Sequence, residues 1–302
     1  MSDFLGSYWS IYIAATTILG LAACLALLII AARRRVMAGD NTTGHVWDED
    51  LRELNNPLPR WWMWLFVLTI VFAVIYLLLY PGLGSAAGRL QWSSAAQLRD
   101  EQAASRALSA PLYAGFAAKP IAALAHDPQA LAVGERLFAN HCAACHGADA
   151  RGSKGFPNLA DGDWLWGGSP EQIEETITAG RQGMMPPLAA AVGSADDVKN
   201  VANYVLTLSG GPDNLQAQHG RSKFTVCAAC HGAGGQGNPA LGAPNLTDAT
   251  WLHGRGEAAI VAMVMQGKSN VMPAHDDRLT PEQIHVLTAY VWGLSNPTKA
   301  TP

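Results

Sequence analysis

Two long runs without charge dominate the hydropathy pattern at the start of the chain. No charged residue occurs from Phe4 to Ala32, and a second charge-free run extends from Trp61 to Tyr80. A helix rises about 1.5 Å per residue and the hydrocarbon core of a bilayer is about 30 Å thick, so either run can cross it. The pattern predicts two transmembrane helices, over about residues 8–32 and 61–80.

The residues that flank these runs indicate their orientation. Asp3 precedes the first run where a cleaved signal peptide would carry basic residues, so we expect this span to be retained. Lys and Arg are absent from residues 1–10, and they concentrate on the cytoplasmic side of membrane proteins. The segment 33–60 should therefore be a cytoplasmic loop, with everything after residue 84 on the opposite side. Its basic residues are Arg33, Arg34, Arg35, Arg52 and Arg60.

The chain after the second span changes character twice. Residues 85–127 are rich in Ala, Ser and Gln, and they predict an amphipathic helix followed by a looser segment around Pro111 and Pro120. From residue 128 onward the pattern repeats, because Cys142 and Cys227 open two identical pentapeptides 85 residues apart. We interpret the chain as a membrane anchor (1–84), a linker (85–127) and two tandem domains (128–212 and 213–302). Other matched landmarks are Pro157-Asn158-Leu159 with Pro244-Asn245-Leu246, Trp164 with Trp251, and Gly180 with Gly267.

Helix signals frame both repeats. Ser169-Pro170 and Thr280-Pro281 each offer a capping hydroxyl and a proline at the first helical position, with Gln at the third. Strand-like runs are few, so the predicted class is all-α. In each repeat a glycine precedes a phenylalanine by four residues on one helical face, which predicts that the first and last helices of the repeat cross closely there. These pairs are Gly134 with Phe138 and Gly220 with Phe224.

Composition narrows the possible functions. The net charge is -4 and the pI is about 6.1, so the chain lacks the basic surface that tracks phosphates, and we expect no nucleic-acid partner. Each repeat is only about 80 residues long. A domain of that size buries a small core, so a large apolar cofactor would add stability as well as chemistry.

The repeated motif Cys-Ala-Ala-Cys-His supplies that chemistry. Two thiols at this spacing can form thioethers with the two vinyl groups of one porphyrin, and the following histidine can ligate its iron. The motif predicts two covalently bound haem c groups. The attachment residues are Cys142, Cys145, Cys227 and Cys230, and the proximal ligands are His146 and His231.

Three other interpretations of the cysteines are open. A zinc site would need two further ligands at finger-like spacing, and no second cysteine pair lies near either motif. A thioredoxin-like redox pair usually lies in a βαβ context, whereas this region is helical in pattern; chance occurrence is the third possibility. The fifth cysteine, Cys24, lies in the first apolar run and is expected to act as a small hydrophobic residue.

The sixth iron ligand should be a soft neutral donor that a loop carries across the pocket. Met185 and Met272 each lie 21 residues after the tryptophan of their own repeat, and this register favours Met185 over the adjacent Met184. With His and Met at both axial positions, neither iron has a vacant site, which favours electron transfer over catalysis. Other polar residues in the repeats have lesser expected roles. His141, His253 and His275 are expected at the surface or behind the ligands, and Arg181 and Lys268 either pair with haem propionates or face solvent.

The loop segment TTGHVWDEDLRELNNPLPRWWMW, residues 42–64, resembles the dihaem CcoP or FixP subunit of cbb3-type cytochrome c oxidases. The stretches GERLFANHCAACHGADARGSKGFPNL, DWLWGG and GRQGMMPP are similar to the first haem domain of that family. The resemblance covers nearly the whole chain. The chain differs from the family in two respects. It has the run Met184-Met185-Pro186-Pro187 where a single Met before Pro-Ala is more usual, and it has two spans where some members have one.

What the resemblance implies is an electron-transfer subunit of a proton-pumping oxidase, with two class I cytochrome c domains in the bacterial periplasm. Electrons would come from a cytochrome c donor and pass to the monohaem subunit and the catalytic haem-copper subunit. The loop 33–60 would then dock on these partners or act as a plain connector. Two rival interpretations are a freestanding dihaem cytochrome of the inner membrane, and an enzyme such as a dihaem peroxidase or a thiosulfate-oxidising protein with an open iron site.

Overall fold

The computed structural model describes residues 7–33, 39 and 41–296. The chain is mostly helical, and the sheets within these described residues are two short pairs of strands, so the predicted all-α class is confirmed. It divides into two compact units, residues 1–108 and 109–302.

Two apolar helices form most of the first unit. Helix α1 covers Ser7–Ala32 and α2 covers Arg60–Leu79, within one residue of the predicted spans. Both are long and apolar enough to cross a membrane. The Ser10 hydroxyl accepts a hydrogen bond of 2.9 Å from the backbone N–H of Ser85, which ties the turn after α2 to α1. Arg34 and Arg35, which supported the predicted orientation, lie outside the described residues.

A β-hairpin lies between the two apolar helices, where the sequence suggested only a loop. Strand β1 covers Thr42–Trp47 and pairs in antiparallel fashion with β2, Leu51–Leu54. The tight turn between them places Asp48 at φ 45° and Glu49 at φ 72°, a left-handed conformation that is uncommon for Glu. The β-branched and aromatic content of β1 was the available signal for a strand.

The linker is more regular than predicted. Helix α3 covers Ser94–Ala117, and Pro111 lies inside it rather than in a looser segment. A proline inside a helix removes one backbone hydrogen bond, which a long helix can lose without ending. After α3 comes the short helix α4, Ile121–Leu124, with Pro120 at its N-cap. Its residue Leu124 is fully buried.

The two repeats contain nine further α-helices and one 3-10 helix among the described residues. The helices of the first repeat are α5 Pro128–His141, α6 Ala143–His146, α7 Pro170–Ala179, α8 Ala189–Val192 and α9 Ala195–Leu208. In the second repeat they are α10 Leu215–Gly220, a 3-10 helix Arg221–Phe224, α11 Thr225–His231, α12 Glu257–Gln266 and α13 Pro281–Ser295. The caps predicted at Ser169 and Thr280 are both complete capping boxes.

Three hydrophobic cores hold these helices together, and each combines helices from both repeats; the third joins α3 and α4 of the linker to α5 and α13. The first core joins α5 and α7 to α13, and its buried residues are Leu137, Phe138, Ala150, Ile173, Ile177, Leu279, Ile284, Leu287 and Val291. The second core joins α9 to α11 and α12, and its buried residues are Val192, Val198, Val201, Ala202, Val205, Phe224, Cys227, Ile260 and Val264.

The predicted helix crossings at the two glycines occur, but with different partners. A Cβ atom on Gly134 of α5 would lie 2.5 Å from the Cβ atom of Tyr290 on α13. A Cβ atom on Gly220 of α10 would overlap the backbone of α9 at Asn200. The prediction that each crossing joins the two ends of one repeat is therefore wrong. The short connection over residues 209–214 places α10 directly beside α9, as short connections generally do.

A two-stranded antiparallel ribbon connects the two repeats, which both lie in the second compact unit. Strand β3, Arg181–Met185, pairs with β4, Lys268–Met272. Gly183 faces Asn270 at the centre, so equivalent residues of the two repeats are placed symmetrically about this pair.

Candidate haem-binding sites

The first motif lies on a short helix that immediately follows α5. Cys142 ends α5, and its backbone N–H donates to the Phe138 carbonyl at 2.8 Å. The next turn, α6, carries Cys145 and His146. Cys142 packs against the first core, Cys145 is exposed, and His146 is 8% exposed. Both thiols and the imidazole thus lie on one helical turn at the edge of that core.

The orientation of the His146 ring is set by a backbone acceptor. Its Nδ1–H donates to the Pro157 carbonyl at 2.9 Å, which leaves Nε2 as the ligating atom. Burial lowers the pKa of His146; the bond to Pro157 acts in the opposite direction, and His275 contributes to the lowering. At neutral pH the ring is therefore neutral, which is the form that binds iron.

The second motif has the same geometry. Cys227, Cys230 and His231 lie on α11, and the His231 Nδ1–H donates to the Pro244 carbonyl at 2.9 Å. The sequence repeat marked Pro157 and Pro244 without giving them a role. The structure shows that each proline supplies the acceptor that orients its imidazole.

The thiols are available for covalent attachment. All five cysteines are within the described residues and none forms a disulfide. Burial raises the pKa of Cys142 to about 11, with a further contribution from Cys145, and burial likewise raises the pKa of Cys227. These two thiols are thus protonated at neutral pH, and the exposed Cys145 and Cys230 are the more accessible members of each pair.

The surroundings fit a c-type haem. Trp164 packs against the first core and Trp251 against the second, so each site has an aromatic wall. Among the described residues, the buried indole N–H of Trp251 has no hydrogen-bond acceptor. A haem propionate is an acceptor that would satisfy it. Two thiols, an oriented imidazole and an apolar wall at each motif match the donor set that covalent haem requires.

The candidate distal residues differ in burial. Met184 is 74% exposed, whereas Met185 is partly buried and packs against the second core. Met272 packs against the first core. The structure thus brings Met272 to the side of His146, and Met185 to the side of His231.

Two protein-family models together match most of the chain. The N-terminal domain of cytochrome oxidase-cbb3, FixP, matches residues 39–87. The family of cytochrome c oxidase, cbb3-type, subunit III, matches residues 129–205 and 216–291. The chain belongs to the CcoP/FixP family of cbb3-type cytochrome c oxidase subunits. The family resemblance inferred from the loop and haem motifs is confirmed, and the two matches in the repeats are cytochrome c-type domains.

Individual relatives agree over nearly their whole length. The subunit CcoP of the cbb3-type oxidase from Rubrivivax gelatinosus is 64% identical over 98% of this chain and 97% of its own. The FixP subunit of Azorhizobium caulinodans is 42% identical over 84% of this chain and 92% of its own. FixP of Bradyrhizobium diazoefficiens is 41% identical over 85% and 96%. This CcoP/FixP chain is thus a subunit of a cytochrome c oxidase complex, an oxidoreductase.

The histidines of this CcoP/FixP chain that were not predicted to ligate iron differ in burial and in their hydrogen-bond partners. His275 is 7% exposed, and its Nδ1 has no partner within the described part of the chain. It was expected at the surface or behind a ligand, and it lies close enough to His146 to influence the pKa of that ring. His141 is partly exposed, and the His253 ring lies 3.0 Å from the Asn270 amide.

The two basic residues near the methionines also differ. Arg181 forms a 2.9 Å ion pair with Glu175, donates to Thr176, and covers the Trp166 ring at 5.2 Å. Lys268 is exposed. Arg181 is thus held by neighbours of its own repeat, whereas Lys268 faces solvent.

Proposed function

We propose that this chain binds two haem c groups and conducts electrons into the cbb3-type oxidase. The observation that carries the proposal is the duplicated site, in which paired thiols and an imidazole oriented by a proline carbonyl occur twice with the same geometry. The attachment residues are Cys142, Cys145, Cys227 and Cys230. A bound c-type haem supplies one-electron chemistry between its ferrous and ferric forms.

The axial ligands we propose are His146 and His231 on the proximal sides, with Met185 and Met272 on the distal sides. Thioether ligation favours the ferrous state and raises the reduction potential relative to two histidines. Both irons would then be six-coordinate, which leaves no position for oxygen on this chain. Its role in the oxidase is therefore electron transfer, and oxygen reduction belongs to the catalytic haem-copper subunit.

We further propose that α1 and α2 span the bacterial inner membrane and that both repeats lie in the periplasm. The large apolar residues on both helices are mostly exposed in the chain alone, as expected for helices that face lipid or partner subunits. The periplasmic side is where a cytochrome c donor would dock. Electrons would then pass through both haems to the monohaem subunit and onward to the catalytic subunit.

Purification of the tagged chain in mild detergent tests this function. We expect two covalent haems per chain, together with a monohaem subunit and a subunit that holds haem b and copper. Reduction by a soluble cytochrome c should precede oxygen consumption. Recovery of a dihaem chain without these partners would favour a freestanding cytochrome, and a high-spin iron in the oxidised chain would favour an enzyme with an open site.

A further inference from the structure

A tryptophan of the first repeat packs against a turn of the second repeat. The Trp166 ring lies close to the centre of the strand ribbon, since a Cβ atom added to Gly183 would be 3.8 Å from it. On the other repeat, a Cβ atom added to Gly242 would overlap the same ring. The turn at Gly242, which has φ 63°, therefore approaches the ring as closely as a residue without a side chain allows.

An arginine fixes the orientation of this ring. The Arg181 guanidinium covers the Trp166 ring at 5.2 Å from its centroid. Arg181 also donates from Nε to the Thr176 hydroxyl at 2.9 Å. Its two terminal nitrogens lie 3.0 Å and 2.9 Å from the two carboxylate oxygens of Glu175. A planar guanidinium with three bonds has a fixed orientation, and so does the ring that it covers.

The turn that the ring supports leads to the second motif. Two backbone hydrogen bonds between Asn238 and Ala243, of 2.9 Å and 3.1 Å, close this turn around Gly242. The next residue, Pro244, supplies the carbonyl that accepts from the His231 Nδ1–H at 2.9 Å. The supported glycine thus lies two residues before the acceptor that orients the second imidazole.

The first motif has the same turn without this support. Gly155 is the equivalent of Gly242, because each lies two residues before the proline of its own repeat. A Cβ atom added to Gly155, which has φ 93°, would meet no atom within 4 Å. Its N–H donates to the Leu252 carbonyl at 2.8 Å, which is a backbone contact between the repeats. The residue equivalent to Trp166 is His253, so the aromatic support exists at one of the two turns.

We propose that Trp166 is a positioning residue for the second haem site and acts on it from the first repeat. By supporting the turn at Gly242 it keeps the Pro244 carbonyl in place to accept from His231. A hydrogen bond at this ring nitrogen makes a ligating histidine more basic, which favours the ferric state. A loosened turn weakens this bond, so the reduction potential of the second haem rises. This inference rests on the proposed binding of two haem c groups.

Single-haem chains test the proposal directly. The full-length chain with C142A and C145A can hold haem only at the second motif, and the chain with C227A and C230A only at the first. W166A should raise the midpoint potential and change the ferric EPR g values of the haem at the second motif. It should leave the haem at the first motif unchanged, although Trp166 belongs to that repeat. W166F keeps a ring against the turn and should restore most of the original potential.

The two equivalent glycines provide a matched pair of variants. G242A and G155A both place alanine at a positive φ, but only G242A meets the Trp166 ring. In the chain with haem at the second motif, G242A should raise the potential and G155A should leave it. Adding W166A to G242A should give no further shift, because the methyl group and the ring no longer compete for one space.

Loss of stability alone needs its own control. Val198 is fully buried in the second core, and V198A should lower the melting temperature without changing the potential or the g values. An unchanged second haem in both W166A and G242A would overturn the proposal, and so would an equal shift in V198A or at the first motif. Absence of haem from the C142A and C145A chain would instead overturn the proposed cofactor binding, so the two failures are distinguishable.

Discussion

The two candidate haem sites share one motif but differ in what surrounds it. His146 is 8% exposed, whereas His231 is partly exposed. The third residue after the methionine that packs beside each site is a buried His275 in the first and Leu188 in the second. Since burial and nearby polar groups tune a haem's potential, two sites with one motif can have different potentials. This comparison indicates that the motif determines which cofactor can bind, while the packing around it determines the reduction potential of that cofactor.

Removing one motif at a time should give the largest effect. The double variants C142A/C145A and C227A/C230A should each bind one haem per chain in place of two, measured by haem content against protein. Because the imidazole of the first motif is the more buried of the two, loss of the first site should also reduce accumulation of the chain more strongly. Equal accumulation of the two variants would remove the proposed difference between the sites.

The closing helices are α9 and α13, the last helix of each repeat. Shortening one buried side chain on each should have the next largest effect and should distinguish the two sites. Leu287 of α13 is fully buried in the first core and Val201 of α9 is fully buried in the second. Leu287→Ala should cost about 2–5 kcal/mol of stability. Val201→Ala should cost about 1.5–3 kcal/mol. Thermal loss of each methionine–iron band in the single-haem chains measures this, and L287A should weaken the first site more than the second. Leu108→Ala, on a side chain 85% exposed, is the control and should change neither.

The helix crossings provide a smaller comparison. The overlap is deeper at Gly220, where an added Cβ would meet the backbone of Asn200, than at Gly134, where it would lie 2.5 Å from the Cβ atom of Tyr290, so α13 would have to shift. Overpacking typically costs about 1–3 kcal/mol, so Gly220→Ala should reach the upper part of that range and Gly134→Ala the lower. Chemical denaturation followed by haem absorbance measures both. Gly115→Ala meets no atom within 4 Å and should be neutral or slightly stabilising. An equal cost at the two crossings would contradict the packing described.

Acid should reveal the smallest difference. Hydrogen bonds from Ser194 and a 3.2 Å ion pair with Lys223 hold the pKa of Asp197 below its usual 3.8. The equivalent position at the start of α13 is the uncharged Gln283, capped with Thr280. A lowered carboxyl pKa stabilises the fold above the unfolded pKa, and this contribution is lost as the pH falls through the folded value.

Four carboxyls on the helices of the first core, Asp127, Glu171, Glu175 and Glu282, have pKa values that hydrogen bonds lower in the same way. The first site should therefore lose thermal stability below about pH 4 more steeply than the second. Asp197→Asn should reduce the slope of the second site by removing its titrating group. The measurement is the melting temperature of each band between pH 7 and pH 3, in the single-haem chains. A steeper loss at the second site, or an unchanged slope in the variant, would contradict this account.

Local features of the fold could be predicted because their causes are local. The two apolar helices follow from uninterrupted runs without charge, and the capping boxes at Ser169 and Thr280 from hydroxyl, proline and glutamine at fixed spacing. The two Cys-Ala-Ala-Cys-His motifs were evident for the same reason. The hairpin of β1 and β2 was missed because its residues are mostly exposed and show no alternation of buried and exposed positions.

The sequence could not predict which helix of one repeat packs against which helix of the other. The closing helices α9 and α13 present similar faces, with Tyr204 of one equivalent to Tyr290 of the other. Either helix therefore suits either motif helix by pattern alone. The choice follows from the short α9–α10 connection and the strand ribbon, which are long-range features that a repeat register does not contain.

Oxidation of the fully reduced oxidase by oxygen tests the central claim most directly. The complex purified with this chain is mixed rapidly with oxygen, and the haem c absorbance is followed within one turnover. The account predicts that both haems of this chain are oxidised at least as fast as the enzyme turns over, and that C142A/C145A or C227A/C230A slows turnover with cytochrome c as donor. Haems on this chain that stay reduced while oxygen is consumed would contradict it.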